Sequence, residues 1–169
     1  MAYITKEQTA EARKIANEIG KKYGLKISTT MENHSTLNIS IMKGKKITID
    51  DLDLSGYMKD FIARYGVGAF TYNNEKEFEK AFSEYLAGGD YNYQLMKYIG
   101  VSELINDGKG HMNLFNKNSD FYKAYMEIEK EVKKTLNWFD DSDSMIDYFH
   151  TKFYFNFEVG KWNKPYTAI

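Results

Sequence analysis

Asp140, Asp141, Asp143 and Asp147 put four carboxylates within eight residues, with no basic side chain among them. Grouped carboxylates can ligate a hard cation, work as an acid–base pair, or display negative charge to a basic partner. Acid–base work has no support, because adjacent residues such as Asp140–Asp141 or Asp50–Asp51 rarely converge on one substrate. His150 with Asp143 and Asp147 is the one cation set the segment offers, but the spacing of a known ligand loop is absent, and an acidic helix start of this kind reads as a solvated cap. Charge display remains, with the carboxylates standing in for a short row of phosphates. Two aromatic residues extend this candidate surface: Tyr154 on the outward side of the strand that follows, and Trp162 in the turn Gly160–Tyr166. The partner-binding candidates are therefore Asp140, Asp141, Asp143, Asp147, Tyr154 and Trp162. For Trp162 a lid over the sheet edge is expected, since Gly160 turns the chain directly after the strand; an exposed contact anchor is the alternative.

A second constellation is basic. Lys21, Lys22, Lys26, Lys43, Lys45 and Lys46, with Lys14, cluster in the first third of the chain around Tyr23, a pattern that suits phosphate contacts beside a stacking ring. Its plainer reading is a solvated helix face. The chain carries no phosphate-binding loop, nucleophile elbow or zinc-protease helix motif. Gly66-Val-Gly68-Ala-Phe70 lacks the third glycine and the preceding strand of a dinucleotide turn. His34, His111 and His150 are too dispersed to form a motif. No catalytic residue, metal ligand or cofactor is assigned, and a non-catalytic protein is expected.

Composition sets the frame. With 43% hydrophobic and 28% charged residues the chain should fold, and 169 residues fit a single domain, 1–169, that buries roughly 70% of its unfolded surface. The aromatic share is 16%, so some of the 14 tyrosines, 11 phenylalanines and 2 tryptophans must reach the surface. A net charge of −1 selects neither nucleic acid nor an acidic membrane as partner. Its distribution is uneven: residues 1–50 hold nine Lys/Arg against five Asp/Glu, and 51–169 hold fourteen against nineteen. The absence of cysteine excludes disulfides and thiolate metal sites. No apolar run reaches membrane-spanning length, so a cytoplasmic protein with no membrane partner is expected.

The elements that must position these residues follow from periodicity. Thr5 with Gln8 is a capping-box pattern, and Ala12, Ile15, Ala16 and Ile19 continue it as a helix over 5–22. Leu25, Ile27, Thr29 and Met31, then Leu37, Ile39 and Ile41, predict a hairpin with one apolar face, and Ile47–Ile49 a further short strand. Helices are predicted from Leu54 to Tyr65, Glu75 to Leu86 and Tyr91 to Ile99, and a long one from Ser119 through Leu136. Residues 100–118, rich in Gly and Asn, are expected to be the longest and most mobile loop. Phe153, Phe155, Phe157 and Val159 place four apolar groups on one face of a final strand. The fold class is α+β: a small antiparallel sheet of the N-terminal hairpin plus the C-terminal strand, packed with several helices.

Asp143-Ser-Met-Ile-Asp-Tyr-Phe149, the aromatic strand and Gly160-Lys-Trp-Asn-Lys-Pro-Tyr166, together with Tyr3-Ile-Thr-Lys-Glu7 and His34-Ser-Thr-Leu-Asn-Ile-Ser-Ile41, resemble the large polyvalent protein-associated domains of type 29, carried by phages, plasmids and other mobile elements. The likeness lies in the two ends of the chain, and residues from about 50 to 118 do not contribute. It implies a phage or mobile-element accessory protein in the cytoplasm of a bacterial host, of the class in which anti-restriction and anti-CRISPR inhibitors are common. Such an inhibitor occupies a surface of a host defence protein or nuclease complex. The alternative is a nucleic-acid accessory protein using the basic N-terminal helix and hairpin, with weak binding.

Overall fold

The computed structural model describes residues 2–66, 80, 83, 91–143, 145 and 150–169. The helix expected over Glu75–Leu86 lies outside them, apart from two isolated positions.

Helix α1 (Lys6–Lys22) begins as its capping box requires, with Thr5 Oγ1 accepting from the Gln8 amide at 3.1 Å and Gln8 Oε1 accepting from the Thr5 amide at 3.0 Å. Its buried stripe, Thr9, Ala12, Ala16 and Gly20, is made of small residues four or three apart, so the helix can lie close on strand β1 (Lys26–Glu32). The closeness is such that a Cβ on Gly20 would stand 2.7 Å from Ile27 Cγ1. Strand β1 turns through Asn33 and His34, both at positive φ, into β2 (Thr36–Gly44), the hairpin that the alternation predicts. Leu37, Ile39 and Ile41 of β2 are fully buried.

The aromatic strand β4 (Tyr154–Val159) lies against β2 in parallel, Leu37 opposite Phe155 and Ile39 opposite Phe157. The sheet is therefore mixed rather than antiparallel throughout, within the expected α+β class. The reason is connectivity: the chain leaves β2 at Gly44 and returns beside Thr36, the same end at which β2 began, after crossing through helices. Strand β3 (Gly110–His111) adds to the far edge of β4, and β5 (Thr167–Ala168) continues the β4 edge along Lys43 and Gly44 of β2.

Three helices follow β2 among the described residues. Helix α2 (Gly56–Tyr65) is capped by Ser55, and α3 runs Tyr91–Ser102. Helix α4 (Asp120–Thr135), capped by Ser119, buries Phe121, Ala124, Ile128 and Val132. Helices α1 and α4 are clasped at their surface by Glu127, which accepts from Tyr23 Oη at 2.7 Å and Lys22 Nζ at 3.0 Å. Those bonds hold the Glu127 carboxyl below the usual range and push the Tyr23 phenol up.

Two further expectations are corrected. Ile47–Ile49 is not a strand: the chain passes into a 3-10 turn at Ile49–Asp51, held by Thr48 donating from its amide and hydroxyl to Asp51. Residues 100–118 are not a loose loop. They hold the end of α3, a π-helical turn at Glu103–Asp107, β3 and a 3-10 turn at Met112–Leu114, and they bury Val101, Leu104, Met112, Leu114 and Phe115. The Gly and Asn residues there punctuate short elements instead of marking disorder.

Thr29 faces the helices from β1, where its Oγ1 is buried with no partner among the described residues, while its carbonyl accepts from Arg13 at 3.1 and 3.3 Å. Thr29→Val keeps shape and removes the orphan hydroxyl, so urea unfolding should show a gain of about 1 kcal/mol. A loss of stability would mean that the hydroxyl has a partner in solution.

Candidate functional site

The predicted partner-binding residues divide between the two ends of β4. At its start, Phe139–Asp141 runs antiparallel to His150–Lys152: the Asp141 amide donates to the His150 carbonyl at 2.7 Å and the Lys152 amide to Phe139 at 3.0 Å. Local turns fix two of the carboxylates. Asp140 Oδ1 accepts from the Ser142 amide at 3.0 Å, and Asp143 Oδ1 from the Met145 amide at 2.9 Å. Bonds from Ser142 lower the Asp140 pKa below the usual carboxylate range, so its charge persists into mild acid. Asp141 Oδ2 stands 3.7 Å from His150 Nδ1, and the imidazole ring packs against Phe139 with centroids 5.0 Å apart.

Asp140, Asp141 and Asp143 are all exposed, and so are three large apolar side chains of the same end: Met145 (90% exposed), Tyr154 (53%) and Phe139 (38%). Phe139 and Met145 are exposed apolar residues that the sequence reading missed; they sit beside the carboxylates in the chain, but periodicity does not reveal that they escape the core. Asp147 lies outside the described residues. Among the described residues no group of three His, Asp or Glu is placed to hold a metal ion.

Trp162 belongs to the other end, beyond Val159 and about 20 Å away along six residues of strand. It is not the lid: the indole is 91% exposed. Its turn is closed by paired bonds, Lys161 N–H to Lys164 C=O at 2.7 Å and Lys164 N–H to Lys161 C=O at 3.1 Å, which carry the side chain outward. Tyr166 covers the core instead. It is buried, packs edge-on to Phe121 with centroids 5.9 Å apart, and donates from Oη to the Lys45 carbonyl at 2.5 Å. Burial pushes its phenol pKa up.

The basic set also divides. Lys22 is paired with Glu127, and Lys45 with Asp51 at 3.0 Å and Asp120 at 3.7 Å. Lys21 is exposed in the last turn of α1, where it complements the helix dipole. Lys46 is exposed beside a separate cavity under Ile47 and Tyr166. Lys26 and Lys43 do meet: they are Cα partners across the hairpin, at a bulge where Met42 and Lys43 together face the single residue Lys26. With Lys164, Pro165 and Thr167 these three residues line a cavity of about 370 Å³. Lys164 was missed by the sequence reading, although Lys161-Trp162-Asn163-Lys164 interleaves charge and aromatic in a readable way.

Among the described residues no helix is long and apolar enough to cross a membrane. Comparison of the chain with protein families, curated proteins and solved structures finds no match.

Proposed function

We propose that the protein is a phage or mobile-element accessory protein that inhibits a bacterial host defence system of the anti-restriction or anti-CRISPR type, without catalysis, by covering a basic surface of a defence nuclease. One observation carries this reading: three exposed carboxylates, two of them fixed by local turns, share an end of the sheet with exposed Phe139, Met145 and Tyr154. Charge steers such a surface onto a basic partner, and the apolar groups supply contact area that water exclusion makes worth burying. A merely solvated turn would need the carboxylates but not the exposed rings. The resemblance to type 29 mobile-element domains supports the biological setting, including the host cytoplasm.

Pull-down from a plasmid-bearing or phage-infected host lysate should recover a nuclease or defence subunit, whose affinity for the purified chain can then be measured. Asp140→Lys with Asp143→Lys should weaken that complex by about 100-fold, since reversed charges oppose the partner's own. The melting temperature should barely move, because exposed charges contribute little to folding. Unchanged affinity in the double variant would reduce the acidic end to a turn cap.

A further inference from the structure

Lys26, Lys43 and Lys164 surround one cavity whose other described lining, Met42, Pro165 and Thr167, carries no acid, and among the described residues none of the three makes an ion pair. Like charges opposite one another in a hairpin are destabilising, and a third ammonium adds to the repulsion. The bulge creates this arrangement. Strict alternation would send Lys43 to the helix side with Ile39 and Ile41, whereas two residues opposite one bring Met42 and Lys43 to the same cavity as Lys26. Lys161, in the turn that carries Trp162, reaches back across the sheet to donate to Ser28 Oγ at 2.7 Å. This fourth ammonium is thus held on the sheet face that points away from α1 and α4.

Trp162 stands two residues from Lys164 in the same closed turn, and Pro165 lines both the lysine cavity and the neighbouring hollow beside the indole. Glu103 and Asp107 border that hollow, so the anion-favouring side is the lysine side. Clustered unpaired ammonium groups next to a solvent-facing indole on a closed turn match what an unpaired nucleotide strand needs: cations for its phosphates and a flat ring for a base. A duplex keeps its bases stacked on one another and would leave the indole unused.

We propose that the Lys26–Lys43–Lys164 cavity with Trp162 is a binding site for single-stranded nucleic acid, phosphates seated among the lysines and a base stacked on the indole. The site is distinct from the acidic end proposed above and stands or falls independently of it.

The probe is a fluorescein-labelled 12-mer of deoxythymidine, titrated with the full chain over a range of salt. Three phosphate contacts predict a slope of log K on log salt of about −2, and each Lys→Gln change should lower its magnitude by about 0.7. The triple Lys26→Gln, Lys43→Gln, Lys164→Gln variant should lose binding yet melt at or above the parent's temperature, since the repulsion is relieved, and the triple Lys→Arg variant should keep binding and melt like the parent. Trp162→Ala should weaken binding by about 5- to 150-fold, the range for one stacked base, while Trp162→Phe recovers part of it. Indole emission should be quenched on binding. No binding at about 50 mM salt, binding untouched by the triple Gln variant, or tighter binding to a duplex of equal length would each overturn the proposal. So would capture of an acidic 12-mer peptide in preference to the oligonucleotide, which would make the corner a protein-docking surface instead.

Discussion

Phe153→Ala should cost about 3–5 kcal/mol of unfolding free energy, the largest loss expected from any ring of the C-terminal strand segment. The ring is fully buried one residue before β4 begins. Its carbonyl accepts from Trp138 Nε1 at 2.7 Å and Thr151 Oγ1 at 3.2 Å, so the backbone cannot slide inward to fill the space left by the ring. A cavity that does not collapse carries the full penalty. Phe155, which shares the apolar face but is only half-buried, should cost about 1–2 kcal/mol when truncated, in proportion to the area it removes from water. Chemical denaturation of both variants checks the order. Equal losses, or a larger one at Phe155, would contradict the placement of Phe153 at the centre of the core.

Gly160→Ala should destabilise by about 3 kcal/mol or more, well beyond the cost of its backbone conformation. Gly160 has φ +69°, a region that costs an L-residue about 1–2 kcal/mol. A Cβ there would also stand 2.1 Å from the Gly108 carbonyl oxygen and 3.1 Å from the Tyr166 amide nitrogen. That carbonyl accepts the Tyr166 amide at 2.8 Å, so it cannot retreat without releasing the residue that closes the core. Gly24 provides the control. It has φ +68° with nothing within 4 Å of its Cβ position, so Gly24→Ala should show the conformational cost alone. A Gly160 variant no worse than the Gly24 variant would show that the crossing of the two backbone segments yields easily. The same substitution should disturb the Trp162 turn, which begins at the next residue.

Much of the fold was legible because it is locally encoded. The Thr5–Gln8 box, the Ser119 cap, the i, i+4, i+7 stripe of α4 and the two-residue alternation of the hairpin and final strand each specify a conformation from neighbours along the chain. The inward face of Phe153, Phe157 and Val159 follows from period two alone, and so does the outward position of Tyr154. The exposed carboxylates at Asp140, Asp141 and Asp143 were equally readable, since each is held by a bond to a residue two positions on or lies beside one that is.

Other features depend on what lies across space. A strand alternates identically whether its neighbour runs with it or against it, so the parallel pairing of β4 with β2 was invisible until the helical crossover between them was traced. Leu104, Met112 and Phe115 look like isolated apolar residues in a Gly- and Asn-rich stretch, and burial comes only from the sheet edge and helices they pack against. Trp162 and Tyr166 are both large aromatics near one proline; the cross-turn bonds of Lys161 and Lys164 carry the first outward, and the Lys45 carbonyl draws the second in. The lysines show the same division most plainly. Six were grouped by sequence proximity, yet Glu127 of a distant helix claims Lys22, Asp51 of the next turn and Asp120 of α4 claim Lys45, a bulge turns Lys43 toward Lys26, and the third member of their cavity, Lys164, comes from more than a hundred residues away. Charge along a chain states only what is available; which charges meet is set by the folded backbone that brings them within a Debye length of one another.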